Sequence, residues 1–470
     1  MILIDVGMHK IKFRSYNKNR PGAARKALCH APAGSVLFTP SGNAQPCHYN
    51  RGLTYGKYPE QSVKTIFESE KRTHLLKTLK SYRFPKSCYT CEQAWKNKQQ
   101  YNIGAKKYDG LADATSFPEL LELQIDNNCP LECVMCSGEY SSSIRKNREH
   151  EPPINTPYDA RFVEQLLPCL SRLKRINFTG GEPLLIPLYY DIMEQVIEHN
   201  PSIEMNLSTN ASVLPKKFLH LLPRGNFSFT VSIDSMNKNR YETIRKNAVF
   251  EQTMKNIDVL LKHCKATNHK FSIKACILTL NYHDIPGLLD YWNNKKIEVY
   301  IKPVWFPPHL SLKHAGKKEL GNIISSYEQY QPDAKTEIQK HNQKMWLDVI
   351  QELKVWYRLP EQKPNNNMQN DTLENMLSDK IRSHLIHQNI TEDQAKKRLE
   401  KYNALLQQTK THVKNKSQWH QAASYLYYTM PVNLLINELE HGSAETFAGR
   451  IAQTGLFDKN ILMQNHTPDE

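Results

Sequence analysis

Between residues 121 and 303, short segments with the periodicity of strands alternate with longer segments of helical periodicity. In the first segment, residues 121–126, Leu121, Leu123 and Ile125 alternate with polar residues, as in a strand with one buried face. The other predicted strands lie near residues 174–179, 203–208, 227–234, 269–278 and 297–303. Repeated strand–helix units predict a parallel sheet, and six units instead of eight predict an open, partial (βα)6 TIM-like barrel.

The chain on either side of these units follows other patterns. Residues 35–39 are typical of a short strand and residues 40–43 of a turn; a return strand then reaches Cys47, and one helix follows Ser62 as its N-cap. Beyond residue 310, long helical patterns rich in Lys, Gln and Asn replace the strands. We therefore expect an α/β protein with a small α+β module over residues 1–110, the barrel over 111–310, and a mainly helical C-terminal extension over 311–470. We expect the extension to cover the open side of the barrel.

Three cysteines, Cys129, Cys133 and Cys136, follow the first predicted strand in the spacing C-x3-C-x2-C. A four-iron cluster is usually held by four thiolates, so three in one tight loop leave one iron able to bind another molecule. Structural zinc normally takes four protein ligands, and this spacing does not recur in the chain. On these three residues alone, zinc remains a serious alternative, and buried free thiols are a further one.

A second group of four cysteines in the N-terminal module makes a full ligand set for one metal centre: Cys29, Cys47, Cys88 and Cys91. The pattern does not choose between zinc and a four-iron cluster, and for an isolated domain it favours zinc. The remaining thiols, Cys169, Cys264 and Cys276, lie among apolar residues and are expected to pack in the core.

Glycines and polar side chains at the ends of later strands extend the candidate site. The second strand runs into Gly180-Gly181-Glu182-Pro183, where the glycines let backbone approach a ligand and carbonyl groups can accept hydrogen bonds from an ammonium group. By itself this segment could be only a tight turn into a helix. The third and fourth strands and their ends carry further polar candidates: Asn206, Ser208, Asn210, Ser232 and Asp234. Capping of the following helices explains Asn210 and Asp234 equally well.

The cysteine spacing, followed by residues 180–183 at the end of the next strand, resembles the radical S-adenosylmethionine (radical SAM) superfamily. The resemblance implies that the amino and carboxylate groups of S-adenosylmethionine (SAM) chelate the fourth iron of a [4Fe-4S] cluster. One electron then cleaves SAM to methionine and a 5′-deoxyadenosyl radical, which abstracts hydrogen from a substrate.

In the family, the segment at Gly180, Gly181, Glu182 and Pro183 holds the SAM amino group. Residues at positions similar to Asn206, Ser208, Asn210, Ser232 and Asp234 hold its ribose and carboxylate. Met135 stands where the family often has an aromatic residue near the adenine, and a thioether can fill that space. Arg245 lies in a segment resembling one whose arginine reaches the SAM carboxylate, although a surface arginine is the simpler explanation.

The N-terminal module resembles the twitch and SPASM modules of radical SAM enzymes. The resemblance rests on the order of Cys29, Gly42, Cys47, the helix after Ser62, and the Cys88-x2-Cys91 pair. It implies an auxiliary [4Fe-4S] cluster on these cysteines, and a count of four favours the single-cluster twitch type. In the commoner arrangement the module follows the barrel; here it precedes the barrel, an order known in a subset of the family.

The composition, 39% hydrophobic and 23% charged, is typical of soluble globular proteins. No stretch approaches the length that crosses a bilayer, the start lacks the features of a signal peptide, and two cysteine groups with metal-like spacings fit a reducing compartment. We therefore expect a cytoplasmic protein that does not span a membrane. A net charge of +15 favours an acidic partner, but the lysines are spread along the chain and a solvated basic surface is the simpler explanation.

These features predict a radical SAM enzyme that abstracts hydrogen from a peptide or protein side chain, a substrate class common among twitch and SPASM relatives. A reductant such as flavodoxin or ferredoxin is the expected partner. Radical SAM modification of a nucleoside, nucleotide or RNA is the alternative that the +15 charge motivates, and a non-enzymatic iron–sulfur adaptor is another. The sequence leaves open the substrate, the hydrogen removed, whether SAM is consumed, and the oligomeric state.

Overall fold

The structure, a computed structural model, describes residues 12–18, 20–50, 52–97, 103–111, 118–148, 152–305, 307, 310–359, 370–386 and 391–412, with isolated positions between 419 and 444. In these ranges nine strands form one sheet in the order β3-β2-β1-β4-β5-β6-β7-β8-β9. The strands are β1 Ser35–Phe38, β2 Asn43–Gln45, β3 Gly56–Lys57, β4 Leu120–Leu123, β5 Arg175–Phe178, β6 Glu204–Thr209, β7 Phe227–Ser232, β8 Phe271–Ile277 and β9 Glu298–Pro303.

The six strands predicted from periodicity are present as β4 to β9, each within three residues of its predicted bounds. Every neighbouring pair among them is parallel, and helical segments connect them. This arrangement confirms the partial TIM-like barrel. In such barrels the loops at the carboxyl ends of the strands carry the chemistry.

The N-terminal module adds its own strands to the same sheet. Strand β1 pairs with β4 in parallel, with Val36 opposite Leu121, and β2 and β3 continue outward as antiparallel strands. The sheet therefore continues across the predicted boundary near residue 110, and one hydrophobic core joins the module to the barrel. The division into three domains remains a prediction.

The helical stretch after Ser62 differs from the single predicted helix. The Ser62 side chain does accept the predicted capping hydrogen bond, from Thr65 N at 3.1 Å, but the helix Val63–Phe67 is short. A second helix begins at Glu70, because Ser69 adopts an extended conformation and caps it by accepting from Arg72 N at 3.4 Å. Apolar periodicity continued across this break, so it gave no sign of the interruption.

The α-helices are Arg14–Asn17, Ala31–Gly34, Val63–Phe67, Glu70–Lys80, Tyr89–Lys96, Ser142–Asn147, Ala160–Leu166, Pro187–His199, Lys216–Leu221, Lys238–Ile244, Phe250–Thr267, Ile285–Asn294, Lys317–Gln329, Glu337–Arg358, Asn370–Ile386 and Glu392–His412. Short 3-10 helices include Gly104–Tyr108 and Pro183–Leu185. Within the described ranges, no helix combines the length and apolarity that a membrane span requires.

The sheet has one apolar and one polar face. Ile176, Met205, Phe229, Ile273 and Val299 are all nearly inaccessible on the apolar face, against which the helices pack. Strand register places polar side chains side by side on the other face, which we call the polar face: Glu122, Asn177, Asn206, Ser228, Thr230, Ser232, Ser272, Lys274, Tyr300 and Lys302. This face is the interior of the open barrel.

The helix Glu337–Arg358 follows the free edge of β9. Its Asn342 side chain accepts a hydrogen bond from Val299 N at 2.7 Å, which satisfies backbone of the edge strand. The charges of Asp348 and Lys344 on this helix also act on Lys106 of the N-terminal module. This helix therefore lies at the open side of the barrel, where the sequence predicted that the C-terminal extension would lie. The helices Asn370–Ile386 and Glu392–His412 belong to a separate hydrophobic core.

Candidate functional site

The three-cysteine loop is anchored at the carboxyl end of β4 by backbone pairing with the segment after the helix Lys238–Ile244. Val134 N donates to Ile244 O at 2.9 Å, and Glu132 N donates to Lys246 O at 3.0 Å. The Glu132 carboxylate accepts hydrogen bonds from Lys246 at 3.1 Å and Asn147 at 2.9 Å. The loop is thus held from two sides and presents its thiols at a fixed place.

The three thiols of this loop are close enough to affect one another's ionisation. Burial, with a smaller contribution from the neighbouring cysteines, raises the pKa of Cys129 and of Cys136 to about 12. Burial also raises the pKa of Cys133, and the positive charge of the nearby Arg245 partly offsets this rise. Three adjacent buried thiolates are unstable without a cation, so proton loss here requires a bound metal centre.

The glycine segment lies directly against the approach to these cysteines. Gly181 N donates to Asp126 O at 3.0 Å, and Glu182 N donates to Asn128 O at 2.7 Å. A Cβ added to Gly180 would lie 2.4 Å from Asp126 O, and one added to Gly181 would lie 2.3 Å from Asn128 O. Gly180 also has a φ of +115°, a conformation that other residues rarely adopt. Both glycines are required by this close approach of two backbone segments.

The Glu182 carboxylate joins the glycine segment to the end of β6. Its oxygens accept hydrogen bonds from the Thr209 hydroxyl at 2.6 Å, Asn210 N at 2.8 Å and Leu184 N at 3.2 Å. The side chain is fully buried, and burial raises its pKa to about 7. These contacts give the Glu182 side chain a positioning role between two loops of the site.

We expect the stability of the wild-type apoprotein, relative to Glu182→Gln, to fall as the pH rises from about 4.5 to about 7. The unfolded carboxyl group loses its proton at the lower pH, whereas the folded one keeps it until the higher pH. Thermal unfolding of both proteins across this range measures the difference. If the stability of wild type relative to Glu182→Gln instead rises with pH in this window, the raised pKa of Glu182 is contradicted.

Three predicted SAM contacts are turned toward protein groups. The side chain of Asn210 points its Nδ2 at Cys129 Sγ, 3.6 Å away, and Arg245 Nη1 lies 3.9 Å from Cys133 Sγ. Arg245 Nε also lies 2.8 Å from Asp234 Oδ2, and both side chains are buried. Arg245 is therefore not a surface residue, and it brings a paired positive charge close to a candidate ligand.

Neither Asn210 nor Asp234 caps a following helix. The N-cap residue of the helix Lys216–Leu221 is Pro215, and that of the helix Lys238–Ile244 is Asn237. Asn210 Oδ1 instead accepts from Ser212 N at 2.8 Å and shapes its own turn. The capping alternative for these two residues is wrong.

The other predicted cofactor contacts lie around the same end of the sheet. Met135 packs against the apolar group Ile244, Leu278, Val304 and Leu310, and Pro183 begins the 3-10 helix Pro183–Leu185. The remaining three are Asn206 and Ser208 on β6 and Ser232 on β7, all on the polar face. Asn206 donates to Ser228 Oγ at 3.0 Å, and Ser208 and Ser232 are partly exposed there. Their contacts with SAM stay a prediction.

Cys276 belongs to this region, although its apolar surroundings in the sequence predicted core packing. It is only partly buried, lies on the polar face in register with Lys302, and is close enough to Cys133 and Arg245 for their charges to act on it. Its backbone N donates to Asp234 Oδ1 at 2.7 Å. Its even spacing from Ser272 and Lys274 along β8 was the sequence signal for this placement. Cys169 and Cys264 are buried, as predicted.

The four cysteines of the N-terminal module form a separate group. The charge of Cys47 acts on Cys29, and those of Cys88 and Cys91 act on both. Burial raises the pKa of all four thiols, that of Cys88 to about 12. Backbone N–H groups point at several sulfurs, as at Cys29, which accepts from Ala31 N at 3.4 Å. Such donors stabilise thiolate ligands.

Two polar side chains also point toward these four cysteines. Asn50 Nδ2 lies 3.4 Å from Cys88 Sγ. The Tyr55 hydroxyl is buried, has no hydrogen-bond partner among the described residues, and lies within electrostatic range of Cys47, Cys29 and Cys88. A buried unpaired hydroxyl is costly unless a bound group accepts its hydrogen bond. The donor set therefore fits a bound iron–sulfur cluster.

Glu122 on β4 links the two cysteine groups through the polar face. Its carboxylate accepts from the Tyr108 hydroxyl at 2.7 Å and lies 3.0 Å from His48 Nε2. His48 directly follows Cys47, and Tyr108 ends the 3-10 helix Gly104–Tyr108. The strand that leads to Cys129 is thereby tied to the module that carries Cys47.

Two family models match the chain. Residues 123–291 match the radical SAM superfamily, and residues 29–92 match an iron–sulfur cluster-binding domain, SPASM. The first match runs from the last residue of β4 into the helix Ile285–Asn294, and the second covers the span from Cys29 to Cys91. These matches support a [4Fe-4S] cluster with SAM at the first site and iron–sulfur ligation at the second.

The chain is similar in sequence to curated proteins over part of their length. A GTP 3′,8-cyclase of Helicobacter pylori is 25% identical over 38% of this chain and 54% of its own length. A probable GTP 3′,8-cyclase of Methanococcus maripaludis is 27% identical over 41% of this chain and 60% of its own length. The chain thus spans somewhat more than half the length of these relatives.

The chain is also similar, at a low level, to parts of solved structures. The structure of native anSMEcpe with bound AdoMet has a TM-score of 0.35 and 20% identity, over 44% of this chain and 60% of its own. Streptococcus suis SuiB bound to precursor peptide SuiA has a TM-score of 0.35 and 15% identity, over 59% of this chain and 54% of its own. Likeness at this level assigns no substrate.

Proposed function

Because its residues 123–291 belong to the radical SAM superfamily, we propose that this chain is an enzyme that cleaves SAM reductively and abstracts hydrogen from a substrate inside the barrel. The observation that carries the proposal is the position of Cys129, Cys133 and Cys136 beside Gly180 and Gly181. A three-thiolate site next to partly exposed glycine backbone is what a cluster with one open iron and a chelating cofactor requires.

The proposed ligands of the first cluster are Cys129, Cys133 and Cys136. When bound, the cluster supplies the electron that breaks a carbon–sulfur bond of SAM and so generates the 5′-deoxyadenosyl radical. The backbone of Gly180 and Gly181 accepts hydrogen bonds from the SAM amino group, and Met135 borders the adenine. Asn206, Ser208 and Ser232 offer hydrogen bonds to the ribose and carboxylate from the polar face.

The contacts of Glu182, Asn210, Asp234 and Arg245 support a positioning role in place of direct cofactor binding. Glu182 sets the Asn210 turn, whose side chain then points at Cys129 Sγ. The Arg245–Asp234 pair holds a guanidinium near Cys133 Sγ. Donors near ligand sulfurs stabilise the reduced form of a cluster, so these residues are expected to raise its reduction potential.

The proposed ligands of an auxiliary [4Fe-4S] cluster are Cys29, Cys47, Cys88 and Cys91. Glu122 of β4 contacts His48, which follows Cys47, so these cysteines would hold the cluster beside the strand that leads to Cys129. A redox or substrate-orienting role is the function proposed for it. Flavodoxin or ferredoxin is the proposed source of electrons.

A peptide or protein side chain is the substrate that the sequence resemblance favours. The named relatives, however, are GTP 3′,8-cyclases, which favours the alternative of a nucleotide-like substrate. Both stay proposals, because the shared region is little more than half of those relatives.

The test of the proposed function is anaerobic reconstitution of the full chain with iron and sulfide, followed by SAM and dithionite. We expect 5′-deoxyadenosine and methionine to form in equal amounts. A preparation with both clusters present and no 5′-deoxyadenosine would contradict the proposal and favour the non-enzymatic adaptor.

A further inference from the structure

A line of lysines on the polar face connects the two cysteine sites. Lys274 of β8 lies beside Ser232 of β7 and Tyr300 of β9, and Lys302 lies beside Cys276. In parallel strands, neighbours in register point to the same face, so both ammonium groups enter the barrel interior. Lys107, in the 3-10 helix Gly104–Tyr108, lies within electrostatic range of Lys302, and its ammonium group is 5.2 Å from the centroid of the Tyr49 ring.

Electrostatic contacts order these side chains from one site to the other. Lys274 acts on Cys276, which is itself within range of Cys133 of the three-cysteine loop. The charges of both Lys274 and Lys107 act on Lys302. Lys107 in turn acts on Cys91 of the second group. Lys274, Lys302 and Lys107 therefore form a chain of neighbouring charges that links the two cysteine groups.

Carboxylates of the helix Glu337–Arg358 offset only part of this charge. Burial lowers the pKa of Lys302; Glu352 opposes this shift, whereas the ammonium groups of Lys107 and Lys274 add to it. Asp348 faces Lys344, Lys302 and Lys106 together. Glu122 is held by Tyr108 and His48. Five lysines (Lys106, Lys107, Lys274, Lys302 and Lys344) and Arg20, which pairs with Asp109, share this space with four carboxylates: Asp109, Glu122, Asp348 and Glu352. Positive charge is therefore in excess.

We propose that the substrate carries a phosphate group and seats it on Lys107, Lys274 and Lys302 in the barrel interior. That this anion is part of a substrate rests on the function proposed above. Lysines act as separate point charges and suit a phosphate with three charged oxygens, whereas a carboxylate is matched better by the fork of an arginine. The Thr230 hydroxyl on the same face accepts from Ser272 Oγ at 3.2 Å and so keeps its own proton to donate.

The test uses inorganic tripolyphosphate as the probe and isothermal titration calorimetry of the anaerobic, cluster-loaded full chain. The variant is Lys274→Met with Lys302→Met. The matched control is Lys262→Met with Lys265→Met, two exposed lysines of the helix Phe250–Thr267, which removes the same charge. We expect at least about tenfold weaker binding for the interior pair, since one charge-assisted contact is worth about that factor, and less than about twofold for the control.

Iron and sulfide contents equal to wild type ensure that the interior variant is folded, and Lys274→Arg with Lys302→Arg should restore most of the binding. Absence of tripolyphosphate binding, or equal weakening in both methionine variants, overturns the proposal. Binding of a hexaglutamate peptide through Lys274 and Lys302 without tripolyphosphate binding also overturns it, in favour of a carboxylate. Formation of 5′-deoxyadenosine by wild type in the same preparations reports separately on the proposed function.

Discussion

Replacing Cys133 with alanine is expected to abolish 5′-deoxyadenosine formation and to lower the iron content from about eight to about four atoms per chain. Two thiolates do not hold a four-iron cube. The further thiol within electrostatic range, Cys276, lies on β8, where its backbone N donates to Asp234. The second cysteine group is independent of Cys133, so its cluster should remain. Iron and acid-labile sulfide analysis measures the loss, and chromatography of the SAM products measures the activity.

Cys169→Ala is the matched control for this change. Cys169 is a fully buried free thiol in the 3-10 helix Leu167–Cys169, and no charge from either cysteine group acts on it. We expect it to keep both clusters and full SAM cleavage, with only a small loss of stability. If Cys133→Ala keeps wild-type iron content, the assignment of that ligand is wrong.

Gly181→Ala is expected to weaken SAM binding at least about tenfold and to destabilise the protein by about 1–3 kcal/mol. The added Cβ would lie 2.3 Å from Asn128 O and 2.6 Å from Asn127 C, so backbone must move. That backbone leads directly into Cys129, and its displacement shifts a cluster ligand together with the proposed SAM amino-group contacts. Equilibrium binding of SAM to the reconstituted protein and denaturant unfolding of the apoprotein measure the two effects.

Gly287→Ala is the control, because a Cβ there meets nothing within 4 Å and the residue lies in the helix Ile285–Asn294. Alanine in this first turn should leave SAM binding unchanged and should not destabilise the protein. If Gly181→Ala binds SAM as tightly as Gly287→Ala does, the close approach of the two backbone segments is not needed for the cofactor.

The elements that follow from local periodicity were predictable from the sequence. Strands β4 to β9 have one apolar face, and this alternation is visible in residues such as Leu121, Leu123 and Ile125. The placement of Cys129 next to Gly181 also followed, because the ends of neighbouring parallel strands meet at one edge of a sheet.

What could not be predicted depends on contacts between distant parts of the chain. Nothing in residues 35–38 indicates that β1 pairs with β4 instead of closing a separate module. The pairing of Arg245 with Asp234, and the direction of Asn210 toward Cys129, depend on how three loops pack together. Cys276 was missed because apolar neighbours in sequence alternate to the opposite face of the strand, so they do not describe its surroundings.

The central claim is that the cluster on Cys129, Cys133 and Cys136 has one iron without a protein thiolate, which SAM binds. Electron–nuclear double resonance of the dithionite-reduced protein, with SAM labelled with ¹⁵N at the amino group, tests it most directly. We expect a ¹⁵N coupling to the cluster that appears on addition of labelled SAM and is absent in Cys133→Ala. A reduced cluster at this site that shows no coupling to bound SAM would contradict the claim.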